Sequence, residues 1–338
     1  MKFAVGWSPV DPLSKTARIA RLAEELGYDS MGLADQRESG ERDVYVALAL
    51  CAGATEKIRL GPCVSDPYSR CPAIAARAIA SLDELSGGRT YIALGAGGSG
   101  FTELGIKQES PNRALRETIK IMRTLFQGRK VFYDGKIFQV RGHDLSFGSR
   151  SDLKIYVATR SPRNLKLAGE LADGVLIATY ATEEQIRWAI EKVEEGARIA
   201  GRSLHDIDLI SWMYTSVSED RDEAIRNVKP FVLQALCKTA PEMYPKFELN
   251  EKVISILQQM RHLPMSEITR QNPDVLTDRD VERFSLAGTP DDCLRKAEEI
   301  RDAGIDQIWI RPFSRPGLFA GVERIIDVFG RKVLRDFG

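Results

Sequence analysis

A chain of 338 residues with 43% hydrophobic side chains can fill one large core or two smaller ones. Its 48 basic and 48 acidic residues cancel, and no long block carries one sign, which argues against nucleic acid as a partner. No stretch approaches the roughly 18 apolar residues of a membrane span, the N-terminus reads as a strand rather than a secretory leader, and the five scattered cysteines contain no CxxC pair. The expectation is a soluble cytoplasmic protein with reduced thiols and no structural metal.

The first apolar run predicts a strand over Lys2–Gly6, with Trp7 at its end and a helix over Lys15–Leu26 behind it. A second strand, Ser30–Ala34, ends in Asp35-Gln36 and leads to an apolar helix over Val44–Ala54. A third, Ile58–Cys63, runs into Val64-Ser65 and a Pro-containing loop, then a helix over Ala73–Leu85 that stops at Gly87-Gly88. The fourth, Tyr91–Leu94, opens into the glycine loop Gly95–Gly100, and Leu115–Phe126 follows as a helix. Val131–Val140 alternates around Asp134-Gly135 and predicts an inserted hairpin, which serves either as a structural cover or as a ligand contact.

Beyond it the alternation resumes, with strands at Lys154–Ala158, Gly174–Ala178, Asp208–Tyr214 and Gln307–Arg311. Helices are expected at Pro162–Leu171, Glu183–Ala200, Arg221–Leu236 and Pro290–Ala303, with a last one from about Gly321. Eight strands alternating with helices predict a (β/α)8 TIM barrel, one domain over residues 1–338 with insertions at about 128–152 and 238–285. In such a fold ligands bind at the C-terminal strand ends, which brings Asp35, Cys63, Gly95 and Thr159 to attention. Thr159-Arg160-Ser161 precedes a helix with Pro162 in its first turn. That arrangement suits an anion, since orphan N–H groups, the helix dipole and an arginine converge there, although Ser161 as a simple cap explains the same residues.

The run IRLGPCVSDPYSR, CPAIAARAIASLDELSGGR and TYIALGAG, from Ile58 to Gly97, closely resembles the luciferase-like superfamily of flavin and deazaflavin oxidoreductases. The likeness is strongest to the branch that uses coenzyme F420, typified by methylenetetrahydromethanopterin reductase. The resemblance implies a non-prolyl cis peptide at Cys63–Val64 against the middle ring of the cofactor. It also implies further cofactor contacts from Ser65, Gly95, Ala96 and Gly97, and a phosphate site at Thr159, Arg160 and Ser161. Asp35 matches an aspartate near the deazaflavin. Gln36 stands where the family commonly has histidine, and Gly6 where the reductases carry a glutamate. An amide does not titrate and glycine has no side chain, so neither can act as an acid, and Gln36 is left an orienting role. Asp66-Pro67-Tyr68 matches the loop after the cis bond, whereas Asp83-Glu84 and Ser86–Arg89 read as helix and turn structure. The resemblance further implies a homo-oligomer, dimer or tetramer, acting on a small molecule: a C1-pterin or similarly conjugated compound first, secondary alcohols or sugar phosphates next. The alternatives are an FMN-dependent monooxygenase or reductase, and a binding protein that has kept the cofactor site without the chemistry.

Overall fold

The computed structural model describes the chain except residues 37–39, 99, 180, 240, 264–266, 269–272, 315–320 and 338. In chain order the predicted strand–helix alternation is present. Its elements are β1 (Lys2–Trp7), α1 (Leu13–Glu25), β2 (Ser30–Leu33), α2 (Val44–Ala54), β3 (Arg59–Pro62), α3 (Pro72–Ser86), β4 (Tyr91–Leu94) and α4 (Pro111–Phe126). The hairpin β5 (Val131–Asp134) and β6 (Gln139–His143) follows, then β7 (Lys154–Thr159), α5 (Pro162–Leu171), β8 (Gly174–Ala178), α6 (Glu183–Ile199), β9 (Asp208–Val217) and α7 (Arg221–Cys237). The C-terminal part holds α8 (Glu251–Met260), α9 (Asp278–Arg283), β10 (Leu286–Gly288), α10 (Pro290–Asp302), β11 (Gln307–Pro312) and α11 (Val322–Phe329). Among the described residues no helix is long and apolar enough to cross a membrane.

The chain forms two compact units. One holds Gly6–Leu176 and Lys192–Asp208, the other Met1–Val5, Ile177–Glu191 and Leu209–Gly338.

In the first unit β2 pairs in parallel with β3, Ser30 opposite Arg59 through Leu33 opposite Pro62. β4 pairs in parallel with β7, Tyr91 opposite Lys154 through Leu94 opposite Val157. Parallel bridges at Leu60–Thr90 and Ser65–Leu94 join β3 to β4. These strands are buried along nearly their whole length, as parallel strands covered on both faces must be, which is why they read as continuous apolar runs.

Arg89 fixes the entry to β4. Its guanidinium donates to Ser86 O (2.7 Å), Thr55 Oγ1 (3.0 Å), Ile58 O (2.8 Å), Ala52 O (2.9 Å) and Thr55 O (2.9 Å). All five guanidinium N–H groups are used on one turn, which holds the end of α2, the start of β3 and the end of α3 together. Asp83 accepts from Thr90 N–H (3.1 Å) and from Arg150 Nε (2.8 Å) and Nη2 (3.3 Å). The SGGR segment and its aspartate are therefore scaffold, as expected.

The hairpin is present, with β6 three residues longer than expected. It leaves the C-terminal end of α4 and returns into the N-terminal end of β7, opposite to the strand ends where ligands bind. Buried Glu117 of α4 accepts from three N–H groups of its turn, Lys136, Ile137 and Phe138, at 3.0, 3.0 and 2.9 Å. The hairpin is thus a cover for α4.

In the second unit, Lys2–Val5 of β1 pair in parallel with Gln307–Ile310 of β11, and β11 pairs in parallel with β9. β10 pairs in parallel with the end of β9, Leu286 opposite Thr215. The 238–285 stretch is mainly short helical pieces, α8 and α9 with 3-10 turns at Pro241–Lys246 and Pro273–Val275. Phe231 and Phe313 stack at 3.7 Å between ring centroids beside Tyr214. Arg311 is buried with its guanidinium 5.8 Å from the Trp212 ring centroid.

Candidate active site

Every residue singled out from the sequence as catalytic or cofactor-binding falls in the first unit, at the C-terminal ends of β2, β3, β4 and β7. Cys63 N–H donates to Leu33 O at 2.8 Å, which carries β3 one residue past its last strand position. The next peptide, Cys63–Val64, is cis. Ser65 then re-enters the ladder: its N–H donates to Ala93 O (2.9 Å) and its carbonyl accepts from Gly95 N–H (2.8 Å). Val64 is consequently set against the glycine loop, and a Cβ added at Gly95 would lie 3.1 Å from Val64 Cγ2 and 3.9 Å from Ala158 O of β7. Backbone pairing thus brings Val64, Ser65, Gly95 and the end of β7 into one place. Cys63 is buried.

The glycine loop is shaped by what stands behind it. Gly97 has φ +79°, and a Cβ there would fall 2.4 Å from Phe101 Cζ and 3.1 Å from Asp66 Cβ. Gln108 Nε2 donates to Ala96 O (2.7 Å) and Gly97 O (3.4 Å), tying the loop down from outside. Asp66 accepts from Tyr68 N–H, Ser69 N–H and Ser69 Oγ at 2.6, 2.8 and 2.7 Å, which makes it a turn former. Tyr68 donates its hydroxyl to Glu109 O (2.8 Å), so it belongs to the loop's support.

Asp35 and Gln36 follow β2 and are half-buried. Ser65 Oγ donates to Asp35 Oδ2 at 2.7 Å, joining the end of β2 to the end of β3. Gln36 faces differently. Ser8 Oγ donates to its Oε1 (3.2 Å), and its backbone N–H donates to Glu41 Oε2 (3.0 Å). Trp7 closes β1 with its carbonyl accepting from Ala34 N–H (2.9 Å) and its indole Nε1 buried without a hydrogen-bond partner among the described residues. Tyr45, on the first turn of α2, also buries its hydroxyl without a hydrogen bond of ordinary geometry among the described residues. Burial pushes that phenol up, and the Asp35 carboxylate acts in the same direction, while Arg70 and Ser65 oppose them.

Sequence reasoning missed Ser8, Glu41 and Tyr45. Ser8 and Glu41 lie in loops, and Tyr45 opens a helix that is apolar all round, so none carries a motif.

At the end of β7, Ser161 is the N-cap of α5 and Pro162 its first residue, but the Ser161 side chain makes no capping bond. Thr159 Oγ1 accepts from Ser161 N–H (3.0 Å), turning the chain into the helix. Asn112 braces the first turn through Arg163 O (3.2 Å) and Asn164 Oδ1 (2.8 Å). Capping therefore does not account for Ser161. Its hydroxyl stands at the positive end of a ten-residue helix, flanked in sequence by Arg160 and an exposed Arg163.

The sequence profile of the luciferase-like monooxygenase family matches residues 4–307. The chain belongs to that family. It is 32% identical over 314 residues to the 5,10-methylenetetrahydromethanopterin reductase of Archaeoglobus fulgidus, covering 91% of this chain and 92% of that protein. It is also 32% identical over 337 residues to the protein of the same name from Methanolobus tindarius, covering 99% and 100%. Among solved structures, the coenzyme F420-dependent tetrahydromethanopterin reductase of Methanopyrus kandleri aligns over 100% of this chain and 99% of its own, with a TM-score of 0.86 at 28% identity. The fold is the (β/α)8 barrel of the luciferase-like family, as the strand–helix alternation predicts.

A luciferase-like cofactor has a flat ring and a phosphate-bearing tail, and the residues present fit both. At Gly95 and Gly97 the place of a side chain is taken by Val64 and Phe101, so what the loop can offer a flat ring is bare backbone on its other face. The α5 N-terminus with Ser161 suits a phosphate. The buried Tyr45 hydroxyl and Trp7 indole N–H belong to residues close to the end of β2, and neither makes a hydrogen bond of ordinary geometry among the described residues.

Proposed function

We propose that the protein is an F420-dependent oxidoreductase that moves a hydride between the deazaflavin and the C1 carbon of a reduced pterin or a similarly conjugated substrate. Supporting this are the near full-length likeness to two 5,10-methylenetetrahydromethanopterin reductases and, in the chain itself, the junction of Asp35, Ser65, Val64 and Gly95 at the ends of three adjacent strands. That junction is the observation that carries the proposal. Bound F420 supplies the hydride chemistry at ring carbon C5. Cys63, Val64, Ser65, Gly95, Ala96 and Gly97 hold one face of the ring, and Thr159, Arg160 and Ser161 take the phosphate. Asp35 and Gln36 orient the reacting partners.

Gln36 accepts from Ser8 and has no proton to exchange, and Gly6 has no side chain, so a carbonyl substrate would lack a donor for its developing alkoxide at either position. Hydride addition to a cationic iminium carbon needs none, which favours the pterin class. Homo-oligomeric assembly, as a dimer or tetramer, belongs to the same proposal and is read by light scattering.

The test is titration of purified protein with F420 and with FMN, followed by turnover with 5,10-methylenetetrahydromethanopterin, a secondary alcohol and a sugar phosphate. Tight F420 binding with pterin turnover is the expected result. FMN binding with oxygen consumption overturns it in favour of a monooxygenase, and binding without turnover of any substrate in favour of a non-catalytic protein.

A further inference from the structure

The phenol of Tyr45 is held in place by groups that make no use of its hydroxyl. Asp43 caps α2 by accepting from Tyr45 N–H (3.0 Å) and Val46 N–H (3.1 Å), and the same carboxylate pairs with Arg70. Arg70 in turn lies over the Tyr45 ring, its guanidinium carbon 4.5 Å from the centroid. A helix start and the loop after β3 thus clamp the ring between them, a cation–π contact on one face and a capped backbone beneath.

The hydroxyl at the far end is buried and makes no hydrogen bond of ordinary geometry among the described residues. Ser65 acts on the phenol as a hydrogen-bonding side chain and Asp35 as a nearby charge. Burying a polar group unpaired is unfavourable, and such groups persist where something uses them.

Ser65 is suited to be that user. Its backbone is fixed on both sides by β4, and its single hydroxyl proton goes to Asp35 Oδ2 at 2.7 Å. Its oxygen keeps lone pairs for a donor, and a hydroxyl that both accepts and donates passes polarisation along the chain.

We infer that Tyr45 is a positioning residue for Asp35, acting through Ser65: its phenol donates to Ser65 Oγ when the cofactor site fills, and so holds the Asp35 carboxylate in its working orientation. This rests on the F420 reading and adds to it a residue outside the matched motif. No proton is transferred; the chain Tyr45 to Ser65 to Asp35 only orients.

The test is a double-mutant cycle with Tyr45→Phe, Ser65→Ala and both together, read by F420 dissociation constant, the visible band of bound F420 and the melting temperature without cofactor. Tyr45→Phe deletes a hydroxyl that makes no hydrogen bond of ordinary geometry among the described residues, so it is expected to melt no lower than the unmodified protein. F420 binding is expected to weaken about ten-fold, the size of one hydrogen bond into a charged group, with the band of bound F420 displaced toward its free position. Ser65→Ala weakens binding at least as much. The double variant is no weaker than Ser65→Ala alone, because Tyr45 has lost the group it acts through. Unaltered binding in Tyr45→Phe, independent losses that multiply in the double variant, or a loss matched by a drop in melting temperature overturns the assignment. Absence of F420 binding in the unmodified protein overturns the cofactor reading itself, and with it this one, and is told apart by that first titration.

Discussion

Replacing Gly97 with alanine tests how the glycine loop is built. At φ +79° any L-residue meets a conformational penalty of about 1–2 kcal/mol. The added Cβ would also stand 2.4 Å from Phe101 Cζ and 2.8 Å from Phe101 Cε2, inside any real contact distance. Phe101 cannot simply swing away, since its ring packs edge-on against Tyr68 at 5.7 Å, and Tyr68 is tied to Glu109. Forcing an extra methyl into such packing costs about 1–3 kcal/mol more. Gly87 is the internal control. It also has a left-handed φ, +68°, but a Cβ there meets nothing within 4 Å, so Gly87→Ala should cost only the conformational part. The expected result is a urea midpoint clearly lower for Gly97→Ala than for Gly87→Ala. F420 affinity should fall about ten-fold or more in the first, because a loop displacement worth about 1.4 kcal/mol at the ring suffices, and stay unchanged in the second. Equal midpoints and equal affinities would show that Phe101 does not back the loop, and the proposed ring surface would lose its support.

At the phosphate end, Ser161→Ile should weaken F420 binding about ten-fold, a loss of about 1.4 kcal/mol by obstruction of the α5 N-terminus. Its melting temperature should barely move, since Ser161 makes no capping bond; unchanged affinity removes the phosphate assignment. Turnover should show no pH limb from residue 36, and Gln36→His should introduce one in the histidine range of roughly 6–7, read from the pH profile of kcat. Complete loss of activity in Gln36→Ala with binding intact would instead give Gln36 a direct chemical role. Glu24 provides a pH test of the scaffold. Burial acts to raise its carboxyl, but N–H groups of Ile58, Lys57 and Glu56 and the charge of Arg89 outweigh that and hold it below its ordinary 4.5. A carboxylate depressed in the folded state stabilises above its unfolded value and loses that contribution as pH falls through the folded one. Glu24→Gln should therefore flatten the decline of the melting temperature in acid below about pH 4.5, and an unchanged acid decline would assign it to other groups.

The strands were legible because parallel strands buried on both faces leave uninterrupted apolar runs, as in SMGL and YIAL. β10 escaped because three residues, Leu286–Gly288, are too few to show a period. α4 was placed four residues late, since PNRA shows no apolar face although proline is well suited to a first helical turn. The candidate site was legible in its backbone parts, the cis peptide and the glycine loop, because both lie in one continuous motif. Its side-chain parts were not. Ser8 meets Gln36 across 28 positions and Ser65 meets Asp35 across 30, distances over which a sequence carries no signal of who will face whom. Gln36 itself was recognised as unable to titrate, but its partner could be seen only in three dimensions.

The turn built on Arg89 bears on how relatives of this chain are found. A guanidinium whose every N–H is already engaged by backbone and a threonine has nothing to offer a ligand, and a lysine, with three donors on a round ammonium, could not replace its planar fork. The most recognisable letters of the sequence thus record how two strands are fastened, and a search guided by them collects proteins with the same joinery whatever they reduce or oxidise. On the function proposed above, sorting those proteins by substrate begins elsewhere, at the unremarkable positions Gly6, Ser8 and Gln36.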